Sequence, residues 1–276
     1  MASAGDTLTT LNSPSEEGFA LEVKTVQSAA FRILIEALKE ILTDANLEFD
    51  ETGLKIMAMD TTHTVLVHLK LKAEHFESFH CARRFVLGVN MIHLFKLIKT
   101  MGNNDSLTLY MEDNDPNRLG IKIENGDLNK ITTYKLRLID LDEETINIPA
   151  TTFSSVITMP STEFQKTCRD MHSLSDKIEI ESVNGALIFK CMGDFAKQET
   201  IMGESDSGIG YVKSNEEIVQ GVFLLRHLVL FTKCTNLCNT IEIYLKNDYP
   251  LIIKYTVASL GEIKLCLAPI RDSDTL

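Results

Sequence analysis

The sequence predicts an α+β protein built from two similar domains, and three observations carry that prediction. Short segments with alternating apolar side chains are interleaved with a few segments of helical spacing. The order of these segments after residue 150 repeats the order before it. A stretch rich in acids and poor in packing residues separates the two copies.

Residues 1–18 are polar, small and acidic, and read as a flexible extension with no core to join. The first domain, 19–135, opens with a strand at Phe19, Leu21 and Val23. A helix follows, on which Phe31, Leu34, Leu38, Ile41 and Leu42 recur at helical spacing. Leu47–Phe49 is a strand, and Gly53 turns the chain into the strand of Leu54, Ile56 and Met57. Residues 64–71 and 85–89 alternate as strands. A second helix over 90–101 is apolar at Met91, Leu94, Phe95, Ile98 and Met101. Leu107–Met111, Gly120–Ile123 and Tyr134–Leu138 complete a meander.

The second domain, 150–270, repeats this order. A strand at Phe153–Met159 leads into a helix over 161–173 capped by Ser161. Ile178–Ser182 turns at Asn184–Gly185 into Leu187–Cys191. A fourth helix is expected over 221–234, before strands at Thr240–Leu245, Leu251–Val257 and Glu262–Leu267. Equivalent positions keep their distance: Phe31 to Gly53 is 22 residues and Phe164 to Gly185 is 21, while Asn90 to Leu107 and Leu224 to Ile241 are both 17. Residues 271–276 form a short tail.

Between the copies, 136–149 is a connector. An alternating strand (Tyr134, Leu136, Leu138) runs into Asp140, Asp142, Glu143 and Glu144, and the stretch ends at Ile146, Ile148 and Pro149. The acids are read as solvated, and the last apolar residues need a surface to rest on.

The 276 residues include 39 acidic and 27 Lys or Arg side chains, a net charge of −12. Such a chain repels nucleic acid on average, so DNA contact requires a local basic zone. Each expected helix carries two cations three or seven residues apart, which stacks them on one stripe: Arg32 and Lys39, Lys96 and Lys99, Lys166 and Arg169, Arg226 and Lys233. The second and fourth helices hold no acid, and His93 and His227 add to the same two. An amphipathic helix with an ordinary solvated face explains one such pair. Four pairs at repeated places in an acidic chain point to a polyanion held by its backbone, without base readout.

Other chemistries find little support. The sequence has no GxxxxGK[ST] loop, no GxGxxG after a strand and no HExxH. Six dispersed cysteines form no CxxC pair and read as reduced, mostly buried thiols, with no metal site expected. Asp60 near His63 is weighed as a catalytic acid and read instead as a turn support. No apolar run approaches the roughly 20 residues of a membrane helix, and no basic-then-apolar leader opens the chain. The expectation is a soluble intracellular protein, not an enzyme, that needs no cofactor.

The residue blocks then become specific. IEALKEIL at 35–42, MDTTH at 59–63, GVN at 88–90, LRLIDLDEETINIP at 136–149, MPSTEF at 159–164, CRD at 168–170, LRHLVLFTK at 225–233 and LAP at 267–269 resemble the proliferating cell nuclear antigen family of DNA sliding clamps. The resemblance covers about Glu22 to Pro269. It implies the DNA clamp fold, with duplicated βαβββ-type repeats, helices lining a ring of three identical subunits and sheets outside. The eight cations named above fall where the family lines its hole, with Ile33 departing from a usual second basic residue.

The resemblance also implies a ring that tethers DNA polymerase and other replication and repair proteins to duplex DNA, loaded by a clamp loader ATPase. Partners of the family dock a short Gln and aromatic motif under the connector; the matching positions are Met59, His63, Leu66, Ile146, Ile148, Pro149, Pro250, Ala268 and Pro269. Cys266 stands where an aromatic residue is usual, and Asn184 replaces the lysine that family members modify. A nuclear site, or the site of viral DNA replication, is expected. The alternative is one subunit of a heterotrimeric clamp, or a clamp-like factor that works as a monomer.

Overall fold

The computed structural model describes residues 18–142, 146, 151–213 and 218–270; most of the expected extension, part of the connector and the tail lie outside the described residues. The first half contains β1 (Phe19–Thr25), α1 (Ser28–Ile41), β2 (Asp44–Asp50), β3 (Gly53–Met59), β4 (Val65–Lys72), β5 (Ser78–Cys81), β6 (Phe85–Asn90), α2 (Met91–Ile98), β7 (Ser106–Glu112), β8 (Arg118–Asn125) and β9 (Lys130–Arg137). The second half contains β10 (Ser155–Pro160), α3 (Ser161–His172), β11 (Lys177–Val183), β12 (Ala186–Met192), β13 (Lys197–Gly203), β14 (Gly210–Lys213), β15 (Val219–Leu224), α4 (Leu225–Phe231), β16 (Thr240–Leu245), β17 (Leu251–Val257) and β18 (Gly261–Leu267).

The repeat extends to the pairing of strands. The first half forms a run β5-β1-β7-β8-β9 and a run β4-β3-β2-β6; the second forms β14-β10-β16-β17-β18 and β13-β12-β11-β15. Strand β18 pairs antiparallel with β4, from Gly261 opposite Leu71 to Leu267 opposite Val65. That junction fuses a five-strand run of one half to a four-strand run of the other, giving one nine-stranded sheet across the molecule.

The helices pack on this framework through the apolar positions that spacing identifies. On α1 the buried residues are Ser28, Phe31, Leu34, Ile35, Ala37, Leu38 and Ile41. On α3 they are Ser161, Phe164, Thr167, Cys168 and Met171. Tyr255 on β17 is fully buried at the centre, beneath α1 and the 3-10 turn Thr232–Leu237 that extends α4.

Several local expectations change. Ser161 does not cap α3: it is the first helical residue, and its hydroxyl donates to the Cys238 carbonyl at 2.6 Å. It thereby pins the helix start to the loop before β16. The cap that spacing missed is Asn90, whose Oδ1 accepts the His93 N–H at 3.0 Å at the start of α2. The fourth helix begins at Leu225 rather than 221, because residues 219–224 pair with β11 as β15. The 184–185 turn is as read: Asn184 (φ 50°) and Gly185 (φ 74°) make a two-residue hairpin loop.

Candidate nucleic-acid interface and docking face

The helices lie against one another in a layer. α2 packs on α1, α1 on the Thr232–Leu237 turn, and α3 on both α4 and that turn. Since their apolar sides face the sheets, their exposed residues lie on the side away from the sheets. Lys96, Lys99, Lys166, Arg169, Arg226 and Lys233 are exposed there, and among the described residues none of the six is held in an ion pair.

The two cations of α1 differ. The Lys39 ammonium is paired with Glu40 and lies 4.9 Å from the centre of the Phe95 ring. Arg32 is half-buried and donates through Nη2 to Asn103 Oδ1 at 3.3 Å. His227 does not add to the positive stripe as expected. Its ring is buried, and burial together with the neighbouring Arg226 lowers its pKa against the opposing pull of Asp60. His93 is exposed.

On the opposite face of the central sheet, register aligns a row of side chains. Met59 stands opposite Leu66, Leu66 opposite Cys266, Cys266 opposite Ile252, and Ile252 opposite Tyr244. Facing residues of an antiparallel ladder share one side, so these five form a continuous apolar strip. The alternate residues of β4, Val65 and Val67, are buried in the core.

One end of the strip is shaped by Asp60. Its carboxylate accepts the Thr64 and Val65 N–H groups at 2.8 Å each and the Thr62 hydroxyl at 2.5 Å. Burial alone would raise this carboxyl, but the three donors outweigh it and hold it low. The turn leaves His63 exposed with φ 53°. Asp60 is thus occupied with backbone geometry, as the sequence suggested, and among the described residues no cluster of three or more His, Cys, Asp or Glu is placed to hold a metal ion.

The expected docking residues fall in three places. Met59 and Ile146 line one cavity of about 550 Å³ together with Asn46, Lys55, Met57 and His68. Leu66 adjoins Met59 in the strip, and the Ala268 N–H bonds the Thr64 carbonyl at 3.1 Å, beside His63. Pro269 lines a second cavity of about 580 Å³ with Tyr249 and Ile270, and Pro250 follows Tyr249. Ile148 and Pro149 lie outside the described residues. Sequence reasoning missed Phe153, Tyr244, Tyr249 and Ile252 here, although alternation in β16 and β17 puts Tyr244 and Ile252 on the outward face.

Residues 20–145 match the family model described as proliferating cell nuclear antigen, N-terminal domain, and residues 147–270 match the one described as its C-terminal domain. The chain belongs to the proliferating cell nuclear antigen family. It is 37% identical over 259 residues, 92% of this chain and 98% of the relative, to the probable DNA polymerase sliding clamp 1 of Paramecium bursaria Chlorella virus 1. It is 33% identical over 256 residues, 90% of this chain and 97% of the relative, to the proliferating cell nuclear antigen of Chaetomium thermophilum.

Membership in the proliferating cell nuclear antigen family makes this chain a DNA sliding clamp, a processivity factor for DNA polymerase. DNA, a polymerase and a clamp loader are the partners that follow, and members of the family are non-enzymatic scaffolds. Among the described residues no helix is long and apolar enough to cross a membrane.

Proposed function

We propose that three copies of this chain close into a ring, with the four-helix layer of each copy facing duplex DNA through Arg32, Lys39, Lys96, Lys99, Lys166, Arg169, Arg226 and Lys233. One observation carries this reading. Within the chain, β18 joins β4, but their counterparts in the repeat, β9 and β13, remain open edges. Pairing β9 of one copy with β13 of the next would repeat the internal junction, and repetition of one junction closes a ring.

The open edges are suited to each other. Leu128 (72% exposed) and Ile131 (60%) stand by β9, while Phe195 (79%) and Ile201 (63%) stand by β13. Strand β9 carries Lys130, Lys135 and Arg137; β13 and its flanks carry Asp194, Glu199 and Glu204 against Lys197. Cations on the inner layer of a chain with net charge −12 give a positive lining within a negative rim. Such contact is sequence-blind and lets the ring slide.

On the outer face, the strip from Met59 to Tyr244 takes the Gln and aromatic motif of a polymerase or repair partner. His63, Ile146, Pro250, Ala268 and Pro269 frame it, and the family resemblance assigns Ile148 and Pro149 to the same role. Tethering raises the local concentration of the partner at the primer end. The ring works in the nucleus or at the site of viral DNA replication.

Light scattering on the purified full chain tests the ring: the mass of three copies is expected, and a monomer would contradict it. Ile146→Asp places a charge in the cavity beside Met59. It is expected to abolish binding of a motif peptide in a titration while DNA binding persists. Unchanged peptide affinity would remove the docking assignment.

A further inference from the structure

We propose that His227 is a positioning residue for Arg226: its uncharged imidazole accepts the guanidinium Nε–H and leaves both Nη groups free for a DNA phosphate, a hold that protonation of the ring releases. The inference rests on the proposed DNA-facing role of Arg226 and adds to it a dependence on pH.

The geometry begins with the short helix α4, which sorts its first residues by side. Leu225 and Leu228 are fully buried, His227 is 6% exposed, and Arg226 is exposed. At 3.6 residues per turn, neighbouring side chains leave a helix about 100° apart, so Arg226 and His227 start on different sides. The length of the arginine closes the gap: its Nε lies 3.3 Å from His227 Nε2. A guanidinium nitrogen only donates, so Nε2 is the bare nitrogen and the ring hydrogen is on Nδ1.

This bond engages Nε alone, and it is the one hydrogen bond of the Arg226 side chain among the described residues. The four N–H groups on the two Nη atoms stay available, and they form the fork that suits phosphate oxygens. A fork already oriented loses less freedom on contact than a mobile exposed arginine. Arg32 is held the opposite way, with Nη2 donating to Asn103 and its buried Nε without a partner.

The charge on the ring decides whether the hold exists. A protonated His227 would set an N–H against the Arg226 N–H and a second positive charge beside the first. Burial disfavours that charge and Arg226 disfavours it further, so the pKa lies below the ordinary 6.5 although Asp60 pulls the other way. The Asp60 carboxylate is already taken by the Thr64 and Val65 N–H groups and the Thr62 hydroxyl. The helices α1 and α3 and the Thr232–Leu237 turn also pack on α4, and among the described residues they bring no further charge to bear on the ring. The bond is therefore made at neutral pH and lost as pH falls through the lowered value.

The test is a thermodynamic cycle on the full chain. Affinity for a short fluorescein-labelled duplex is measured by anisotropy at constant low ionic strength across the acid and neutral range. The proteins are wild type, Arg226→Ala, His227→Gln and the double variant, with thermal melts and light scattering to establish fold and assembly. The ratio of wild-type to Arg226→Ala affinity isolates Arg226 and cancels the titration of exposed groups such as His93. That ratio is expected to fall about two- to tenfold from neutral to acid pH, the worth of one hydrogen bond. In the His227→Gln background it is expected to stay flat, because the amide oxygen accepts the same N–H and takes up no proton. Nitrogen spectra of the wild-type imidazole at neutral pH are expected to show Nδ1 protonated and Nε2 bare. A wild-type ratio that ignores pH, a fall that persists in the His227→Gln background, or the opposite tautomer would overturn the proposal. Equal affinities of wild type and Arg226→Ala at every pH would instead overturn the DNA-facing reading of Arg226.

Discussion

At the scale of single residues, the cations of the helix layer are not equivalent. Lys96 and Lys233 stand exposed with no ion pair among the described residues, so on the proposed reading each would meet a phosphate without leaving an internal partner. Lys39 must give up Glu40 and the Phe95 ring to do the same. Lys96→Glu with Lys233→Glu is therefore expected to weaken DNA binding far more than Lys39→Glu, with the ring mass unchanged. Each lost contact should lower the slope of log affinity against log salt by about 1. Equal effects from Lys39, or loss of assembly in the double variant, would contradict this. Helical spacing singled out the eight cations as pairs because a period of 3.6 is visible in one dimension. It did not reveal that Lys39 is engaged with Phe95, since that contact joins two helices distant in sequence. The same blindness made His227 look like an addition to the charge, when it sits buried.

At the scale of elements, the connector is anchored before its acidic run. After β9 the chain crosses to β6, where the Ile139 N–H donates to the Gly88 carbonyl at 2.9 Å. A Cβ on Gly88 would collide with the Ile139 carbonyl oxygen, so this position requires glycine for close approach rather than for its dihedral freedom. Gly88→Val is expected to cost about 1–3 kcal/mol in thermal unfolding and to speed tryptic cleavage after Arg137. Gly126→Ala, which meets open space, should do neither. The helices and most of the longer strands were readable because their apolar positions keep a clear period; the seven-residue β13, which buries no side chain, was not read. Residues 221–224 were not, because an unbroken apolar run fits a buried strand or a helix equally. Strands β5 and β14 are four residues each, too short for alternation to register, and their partners β1 and β10 lie far along the chain.

At the scale of the whole molecule, duplication is the organising fact. Repeated spacings disclosed two similar halves, but the way they join was not legible. Pairing of β18 with β4 depends on strands about 190 to 200 residues apart in the chain, and no local pattern announces it. That junction underlies both of the surfaces proposed above. It aligns the helices of the two halves in one layer, and on its other side it assembles the strip from Met59 to Tyr244. Among the described residues β9 and β13 are sheet edges, and on the proposed reading a neighbouring copy makes the same junction there.

The most direct test of this account is topological. Rings closed on a nicked circular duplex should remain bound in salt that strips an electrostatic binder, and a single cut that linearises the circle should release them. Dissociation from the intact circle at the same salt, or retention after linearisation on a duplex with unblocked ends, would contradict an encircling clamp.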